Sequence, residues 1–405
     1  MGKKVHNGAV PPNGKDLAPK IPDIEKLAKR YGTPLYAYDG EVIRARCAAL
    51  RTHFPGADIY YACKANENPA ILKIVKTFGF GIETVSRGEI ELALSCGFSP
   101  SAVSYTCHGA EEDELVFAIR SGVIVQADSL GQLDTYGRLK PRSDVSMRLN
   151  LGIGEGANSY VTTGGPRSKF GIPASELLEA ERIMRKYGLK LTGLHQHIGS
   201  NILSARALLR AAEALFRVAR CYPGLETVNV GGGLGVPYAP GERKLDMPKL
   251  GREMLGMFRE YFAGPWPPKL VLEPGRYIVA ESGILLVRVT DVKRNGQGIF
   301  VSVNSGMNHL LRPGLYGSYH GIANASSPKK QESPVTISGN ICEAGDVFAH
   351  NRRIPLPQPG DMLAVGNVGA YGYSMASFYN LRPFPVEVMV KKGASRLIRK
   401  RIKPF

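Results

Sequence analysis

The stretch "DIYYACKANENPAIL" (residues 58–72) decides the reading of the fold. Residues 59–63 are apolar and aromatic, the composition of a short buried strand. Lys64 stands at the carboxyl end of that strand. Asn68-Pro69 then opens a helix, because Asn caps free N–H groups and Pro fits the first helical turn. One βα unit is written here, and it aims an ammonium group at the end of a buried strand.

Outward from this unit the same alternation repeats. Candidate strands cover 59–64, 81–86, 102–107, 123–128, 145–150, 191–197, 227–231 and 269–273. Between them lie helix-like segments such as "SRGEIELALSCG" (86–97), "EEDELVFAIRSG" (111–122) and "SARALLRAAEALFRVARCY" (204–222). In the last, Leu208, Ala212, Leu215 and Ala219 keep one face apolar at helical spacing. Eight βα units predict an α/β fold of the (β/α)8 TIM-barrel type, with a doubly wound sheet as the alternative.

After Ser282 the texture changes. Residues 283–304 read as a hairpin around Asn295-Gly296, and "PVTISGNI", "DMLAVGNV" and "PVEVMVKKGASRLIRKRI" read as further strands. The expected organisation is a 1–40 arm whose "TPLYAYD" strand (33–39) joins the β domain, a 41–281 barrel, and a 282–405 C-terminal β domain that completes the active site.

Apolar residues at 43% and charged residues at 21% fit a soluble globular chain with a sizeable core. No apolar run reaches membrane-spanning length, and the first twenty residues hold no apolar signal segment. The six cysteines form no CxxC pair, which excludes a recognisable zinc or disulfide framework and fits a reducing compartment. The expectation is a cytoplasmic protein with no membrane partner. The formal charge of +17 invites a nucleic-acid reading. The basic residues are spread along the chain, however, and the one dense run, "RLIRKRIKP" (396–404), reads as a solvated tail. An enzyme with anionic ligands and no nucleic-acid partner is the better account.

In such barrels the active site lies at the carboxyl ends of the strands. Those ends bring together Lys64, the pair His195 and His197, the turn "GGGLG" (231–235), and "EPGR" (273–276). A lysine, a glycine-rich turn and a carboxylate converging on one mouth suit pyridoxal phosphate. Lys64 would form the Schiff base, its pKa lowered by desolvation or a neighbouring cation. Gly232 and Gly233 would let backbone N–H groups approach the phosphate. Glu273 would keep the pyridine nitrogen protonated, and His197 would stack on the ring. Each piece has a plainer reading. Lys64 alone could be a solvated lysine, and "GGGLG" alone a tight turn or an imitation of a dinucleotide fingerprint. The His pair alone could bind a metal, as in some barrel hydrolases. His195 reads best as a hydrogen-bonded core histidine, and no metal is expected.

Taken as a set, "YYACKAN", "SRGEIELAL", "SKFGI", "HQHIGS", "GGGLGVPY", "EPGRYIVAESG", "LLRPGLYGSYH", "CEAGDVF" and "GAYGYSMASFYNLRP" resemble the alanine-racemase-like (fold type III) decarboxylases that use pyridoxal phosphate, and among them the diaminopimelate decarboxylase family. The resemblance covers nearly the whole chain. It implies decarboxylation of an amino-acid substrate, most directly meso-2,6-diaminopimelate to L-lysine and CO2. A related decarboxylase acting on another amino acid and a fold type III racemase stand as alternatives.

The resemblance also assigns roles. Lys64 matches the cofactor lysine, and His197, Ser200, Gly232, Gly233, Glu273, Gly275, Arg276 and Tyr371 match the cofactor cradle. Arg276, Arg312, Tyr316, Glu343 and Tyr371 match substrate-holding positions, with Glu343 on the distal ammonium. Cys342 matches the acid that returns the proton. The loop 168–172 matches the one that reads the substrate's far end. In this family the second domain of one subunit completes the barrel mouth of another, so a homodimer with shared sites is implied. Four positions depart from the usual pattern: Asn304 and His309 stand where aspartate is usual, Ala344 replaces serine in "CEAGD", and Leu381 replaces serine in "YNLRP". On sequence alone these remove polar groups near the expected dimer mouth.

Overall fold

The structure, a computed structural model, describes residues 23–405 apart from Gln297. The arm's first 22 residues therefore lie outside the described residues. Strand β1 (Leu35–Asp39) is followed by β2 (Asp58–Ala62), β3 (Gly81–Thr84), β4 (Val103–Tyr105), β5 (Ile124–Ala127) and β6 (Asp144–Asn150). Next come the two-residue β7 (Ile172–Pro173), β8 (Lys190–His195), β9 (Thr227–Asn229) and β10 (Lys269–Leu272). The parallel order β5-β4-β3-β2-β10-β9-β8-β6 closes on itself through a β5–β6 pairing, which makes the eight-stranded barrel.

Local chemistry starts each helix where its strand has ended. Asn68 Oδ1 accepts the Ala70 N–H at 2.9 Å, with Pro69 in the first turn of helix Pro69–Lys76. Ser86 caps helix Arg87–Ser95 through the Glu89 N–H, while Glu89 reaches back to the Val85 N–H at 2.8 Å. Ser129 and Gln132 repeat that reciprocal box before helix Leu130–Leu139. The predicted apolar face of helix Ala205–Ala219 is buried at Leu208, Ala212, Leu215 and Ala219. Truncating Leu215, which is fully buried, would cost about 2–5 kcal/mol.

Inside the barrel, neighbouring strands approach closely because one position lacks a side chain. A Cβ on Gly193 of β8 would lie 1.8 Å from Ser146 Oγ of β6, so only glycine fits there.

The second sheet holds β11 (Gly283–Asn295), β12 (Gly298–Val303), β13 (Ile322–Asn324), β14 (Glu332–Ser338), β15 (Val347–Pro355), β16 (Met362–Val365), β17 (Val386–Lys391) and β18 (Ala394–Arg399). Its main path runs β15-β14-β12-β11-β1-β17-β18, with β16 on β11 and β13 on β16. Strand β1 thus lies between β11, antiparallel to it, and β17, parallel to it. Leu35, Ala37, Ile284, Leu286, Val386 and Val388 pack one apolar layer of this sheet.

The basic run near the chain end is not a solvated tail. Arg396 to Arg399 belong to β18, paired antiparallel with β17. Arg399 forms ion pairs with Glu387 and Glu67, and Arg401 donates to the Pro34 carbonyl at 3.0 Å. With Leu397 and Ile398 between its arginines, the charged run serves as an edge strand.

Candidate active site

A cavity of about 400 Å³ opens at the carboxyl ends of the barrel strands. Lys64, His197, Ser200, Gly232, Gly233, Glu273, Gly275, Arg276, Arg312, Tyr316 and Tyr371 all line it. Lys64 follows β2 and Glu273 follows β10, and these strands are direct neighbours. Arg312, Tyr316 and Tyr371 reach the cavity from the second domain.

Lys64 is ion-paired with Glu83 of β3, a residue the sequence reading did not select. Burial pulls the lysine's pKa down, but the Glu83 charge and hydrogen bond outweigh it, and the net shift is upward. The expected lowering is therefore corrected: with a carboxylate against it, the amine is held as an ammonium. Glu83 was within reach of the strand-end rule, since it stands near the end of β3 in "GIETVS".

Glu273 is clamped from below. Its Oε1 accepts from Asn229 Nδ2 at 2.7 Å and Gln126 Nε2 at 3.2 Å, and its Oε2 accepts from His195 Nε2 at 3.0 Å. Burial opposes the charge, yet His195, Lys64 and Asn229 together hold the carboxyl below the usual range. Glu273 is thus an anion with fixed orientation.

The two histidines have separate hydrogen-bond partners. His195 bonds Glu273, while His197 Nδ1 accepts the Gly232 N–H at 3.1 Å. Burial, with Arg148, Lys64 and His195 nearby, drives the His197 pKa well down. The ring is neutral with its proton on Nε2. The Gly232 N–H, expected to face a phosphate, is occupied by this bond. Glycine is still required there, since a Cβ would lie 2.3 Å from the Glu273 carbonyl oxygen.

The cationic end is built by two arginines. Arg276, buried, donates Nη2 to Ser200 Oγ at 3.0 Å and Nη1 to Tyr238 OH at 2.8 Å. Its guanidinium lies 4.6 Å from the Tyr371 ring centroid. Arg312 donates Nη1 to His320 Nε2 at 3.1 Å, and His320 Nδ1 donates to the Gly366 carbonyl at 2.9 Å. Burial and Arg312 push the His320 pKa down to about 3, so this histidine is a neutral acceptor that orients Arg312.

The opposite wall was largely missed. Asp128, fully buried, binds Arg148 at 3.2 Å, His108 Nδ1 at 3.0 Å and the Gly171 N–H at 3.2 Å. Phe170 packs against both Arg148 and His108. The "SKFGI" loop is therefore latched to β6 beside the cavity. Strand-end reasoning would have found Arg148 had it been applied to every strand.

Cys342 and Glu343 do not line this cavity. Both are exposed on the second domain, where Asn380 Oδ1 accepts the Cys342 N–H at 2.9 Å and Tyr379 OH donates to Glu343. Ala344 and Leu381 are exposed on the same face. Asn304 and His309 are elsewhere. Asn304 ties Thr33 and the Arg288 N–H together, and buried His309 bonds Ser305 and the Pro383 carbonyl. These two residues tie parts of the second domain together and do not line this chain's own cavity.

The donor set fits pyridoxal phosphate. An amine, an oriented carboxylate, a neutral histidine and an anion-binding end of Arg276 and Ser200 share one cavity. Residues 41–280 match the family described as "Pyridoxal-dependent decarboxylase, pyridoxal binding domain". The chain is 41% identical over 392 residues to a diaminopimelate decarboxylase of Methanothermobacter thermautotrophicus, covering 94% of this chain and 91% of the relative. It is 35% identical to that of Escherichia coli K12, covering 94% of each. A crystal structure of diaminopimelate decarboxylase from Helicobacter pylori complexed with L-lysine superposes with a TM-score of 0.87 at 32% identity, covering 93% of this chain and 96% of that one.

Proposed function

The chain belongs to the diaminopimelate decarboxylase family of pyridoxal-dependent decarboxylases, and on that premise we propose that it converts meso-2,6-diaminopimelate to L-lysine and CO2. The observation that carries the reading is the single cavity shared by Lys64, Glu273, Arg276 and Arg312. When bound, pyridoxal phosphate supplies an electron-poor ring that takes up the pair left on the substrate Cα as CO2 departs.

This chain's residues do the rest. Lys64 would hold the cofactor through its side-chain amine. Glu83, already bonded to the Lys64 ammonium, receives the proton that the amine must give up. Glu273, fixed by Asn229, Gln126 and His195, keeps a negative charge oriented for the pyridine nitrogen, because three hydrogen-bond donors hold its two oxygens in place. Neutral His197 offers a flat face. Ser200 and Arg276 hold the phosphate with Tyr371. Arg312, with Arg276 and Tyr316, meets substrate carboxylate oxygens, a geometry suited to guanidinium.

The acid step needs a second copy. Cys342 and Glu343 stand on an outward turn, clamped by Asn380 and Tyr379, away from their own chain's cavity. In a homodimer this turn enters the partner's cavity, where the Cys342 thiol returns one proton to Cα and Glu343 meets the distal ammonium. Exposed Leu315, Phe378 and Leu381 supply apolar surface for that contact. Among the described residues no helix is long and apolar enough to cross a membrane, and a cytoplasmic biosynthetic enzyme is the setting proposed.

The direct test is incubation of cofactor-loaded protein with meso-diaminopimelate, following lysine and CO2 in equal amounts. Absence of both products from a fully loaded sample refutes the reading.

A further inference from the structure

The residues that follow Lys64 are held by the second domain as well as by the barrel, where Tyr61 OH of β2 donates to the Asn66 carbonyl at 3.0 Å. The Ala65 carbonyl accepts the Tyr371 N–H at 2.8 Å. Asn66, buried, donates Nδ2 to the Gly369 carbonyl at 3.0 Å, and its Oδ1 accepts the Asn68 N–H at 3.1 Å. Asn68, fully buried, donates Nδ2 to Glu387 Oε2 at 2.7 Å.

Glu387 on β17 is itself fully buried and also accepts from Tyr38 OH at 2.6 Å. Its countercharge is Arg399 of β18, whose Nε lies 2.7 Å from Oε2. The same guanidinium sends Nη1 to Glu67 Oε1 at 3.1 Å and lies 4.6 Å from the Tyr373 ring centroid. One fork therefore joins the last strand of the second sheet to the segment carrying the cavity lysine.

We propose that Arg399 is a positioning residue for Lys64: its guanidinium, shared between Glu387 and Glu67, locks residues 65–68 and so fixes where the amine at 64 meets the cofactor. A planar guanidinium can hold two carboxylates in different directions at once, which a single ammonium does poorly. Without Arg399 the Glu387 carboxylate is left buried with no cation in contact among the described residues, a costly arrangement that draws in a proton or solvent. Asn68, bonded to that carboxylate, then loses its fixed partner, and the turn behind Lys64 loosens. The inference rests on the reading of Lys64 as the cofactor lysine.

The test uses the full chain stripped of cofactor and reloaded with pyridoxal phosphate. Cofactor Kd, the long-wavelength absorbance of the bound form, and the fraction fixed to Lys64 by borohydride are measured for the parent, Arg399→Met, Glu67→Gln and the double variant Glu387→Gln/Arg399→Met. Arg399→Met is expected to weaken cofactor binding about tenfold or more and to lower the fixed fraction. Glu67→Gln should do so to a smaller degree, and the double variant, which removes both halves of the buried pair, should recover most of the loss. Variants that melt earlier but bind and fix cofactor like the parent overturn the proposal, since a purely structural residue behaves that way. If Arg399→Met does not fold, Glu67→Gln decides alone, and parental fixing in it overturns the proposal. A parent that shows no Lys64-dependent absorbance instead overturns the underlying reading of the site.

Discussion

Lys64 and Glu273 leave adjacent parallel strands at the same end of the barrel and face one cavity. Backbone pairing of Leu272 with Ile59 sets their spacing, so neither depends on a flexible loop to find the other. Glu273→Gln should retain the fold while removing the anion proposed to face the pyridine nitrogen. The expected outcome is a fall in kcat of roughly 10²–10⁴-fold, with a shifted cofactor spectrum. A variant within twofold of the parent in both would remove Glu273 from the chemistry.

The Lys64–Glu83 pair predicts slow loading at neutral pH, because the paired amine is mostly protonated. Glu83→Gln removes the partner that raises the lysine's pKa. Each unit of that fall raises the free-amine fraction, and hence the loading rate near neutrality, by about tenfold. Stopped-flow absorbance of the stripped protein mixed with pyridoxal phosphate measures it. A rate unchanged in the variant would show that deprotonation does not limit capture.

Arg312 is held by neutral His320 and lines the cavity. Charge-assisted hydrogen bonds contribute about 1.5–3 kcal/mol each. Arg312→Met should therefore raise KM for diaminopimelate by roughly 10–100-fold with little change in cofactor affinity. Equal losses in both would place Arg312 on the cofactor instead.

The outward turn of Cys342 predicts complementation between copies. Lys64→Ala and Cys342→Ala homodimers should each be nearly inactive, whereas mixing after dissociation should restore activity. With random exchange, half of the dimers carry one intact site, giving roughly a quarter of parental activity. Mixtures as inactive as either variant alone would place acid and lysine in the same chain's site.

Acid stability depends on buried neutral histidines. Burial, with Arg401 and Arg382 nearby, pushes His309 down to about 4 from an ordinary 6.5. The unfolded chain then binds the proton more readily between those values. The His309 contribution is complete above about pH 6.5 and is lost as pH falls, at about 1.4 kcal/mol per unit. His309→Gln should flatten the decline in urea stability between neutral and about pH 4.5. An unchanged slope would mean that other groups carry it.

Much of this was legible along the chain because it is local. Strand texture, capping residues and the position of Lys64 at a strand end are all written within a few residues of each other. What escaped is long-range. Nothing near Arg399 announces Glu67, and nothing near Asn68 announces Glu387, because those contacts join segments more than three hundred residues apart. The sign of the Lys64 shift was misjudged for the same reason. Desolvation could be foreseen from the strand, but the carboxylate that reverses it arrives from the neighbouring strand. Asn304 and His309 stood out by their departure from a pattern, and here each is hydrogen-bonded within the second domain or to Thr33.

Strand β1 lies between β11 and β17, so it has no sheet partner until residues 283–295 are made, and gains its second neighbour only with residues 386–391. The barrel's strands can pair before then, but the turn behind Lys64 acquires its second-sheet contacts only after residues 369–399 emerge. Nascent chains that have not yet exposed residues 369–399 should therefore grip the cofactor poorly, and maturation of the site waits for the second sheet.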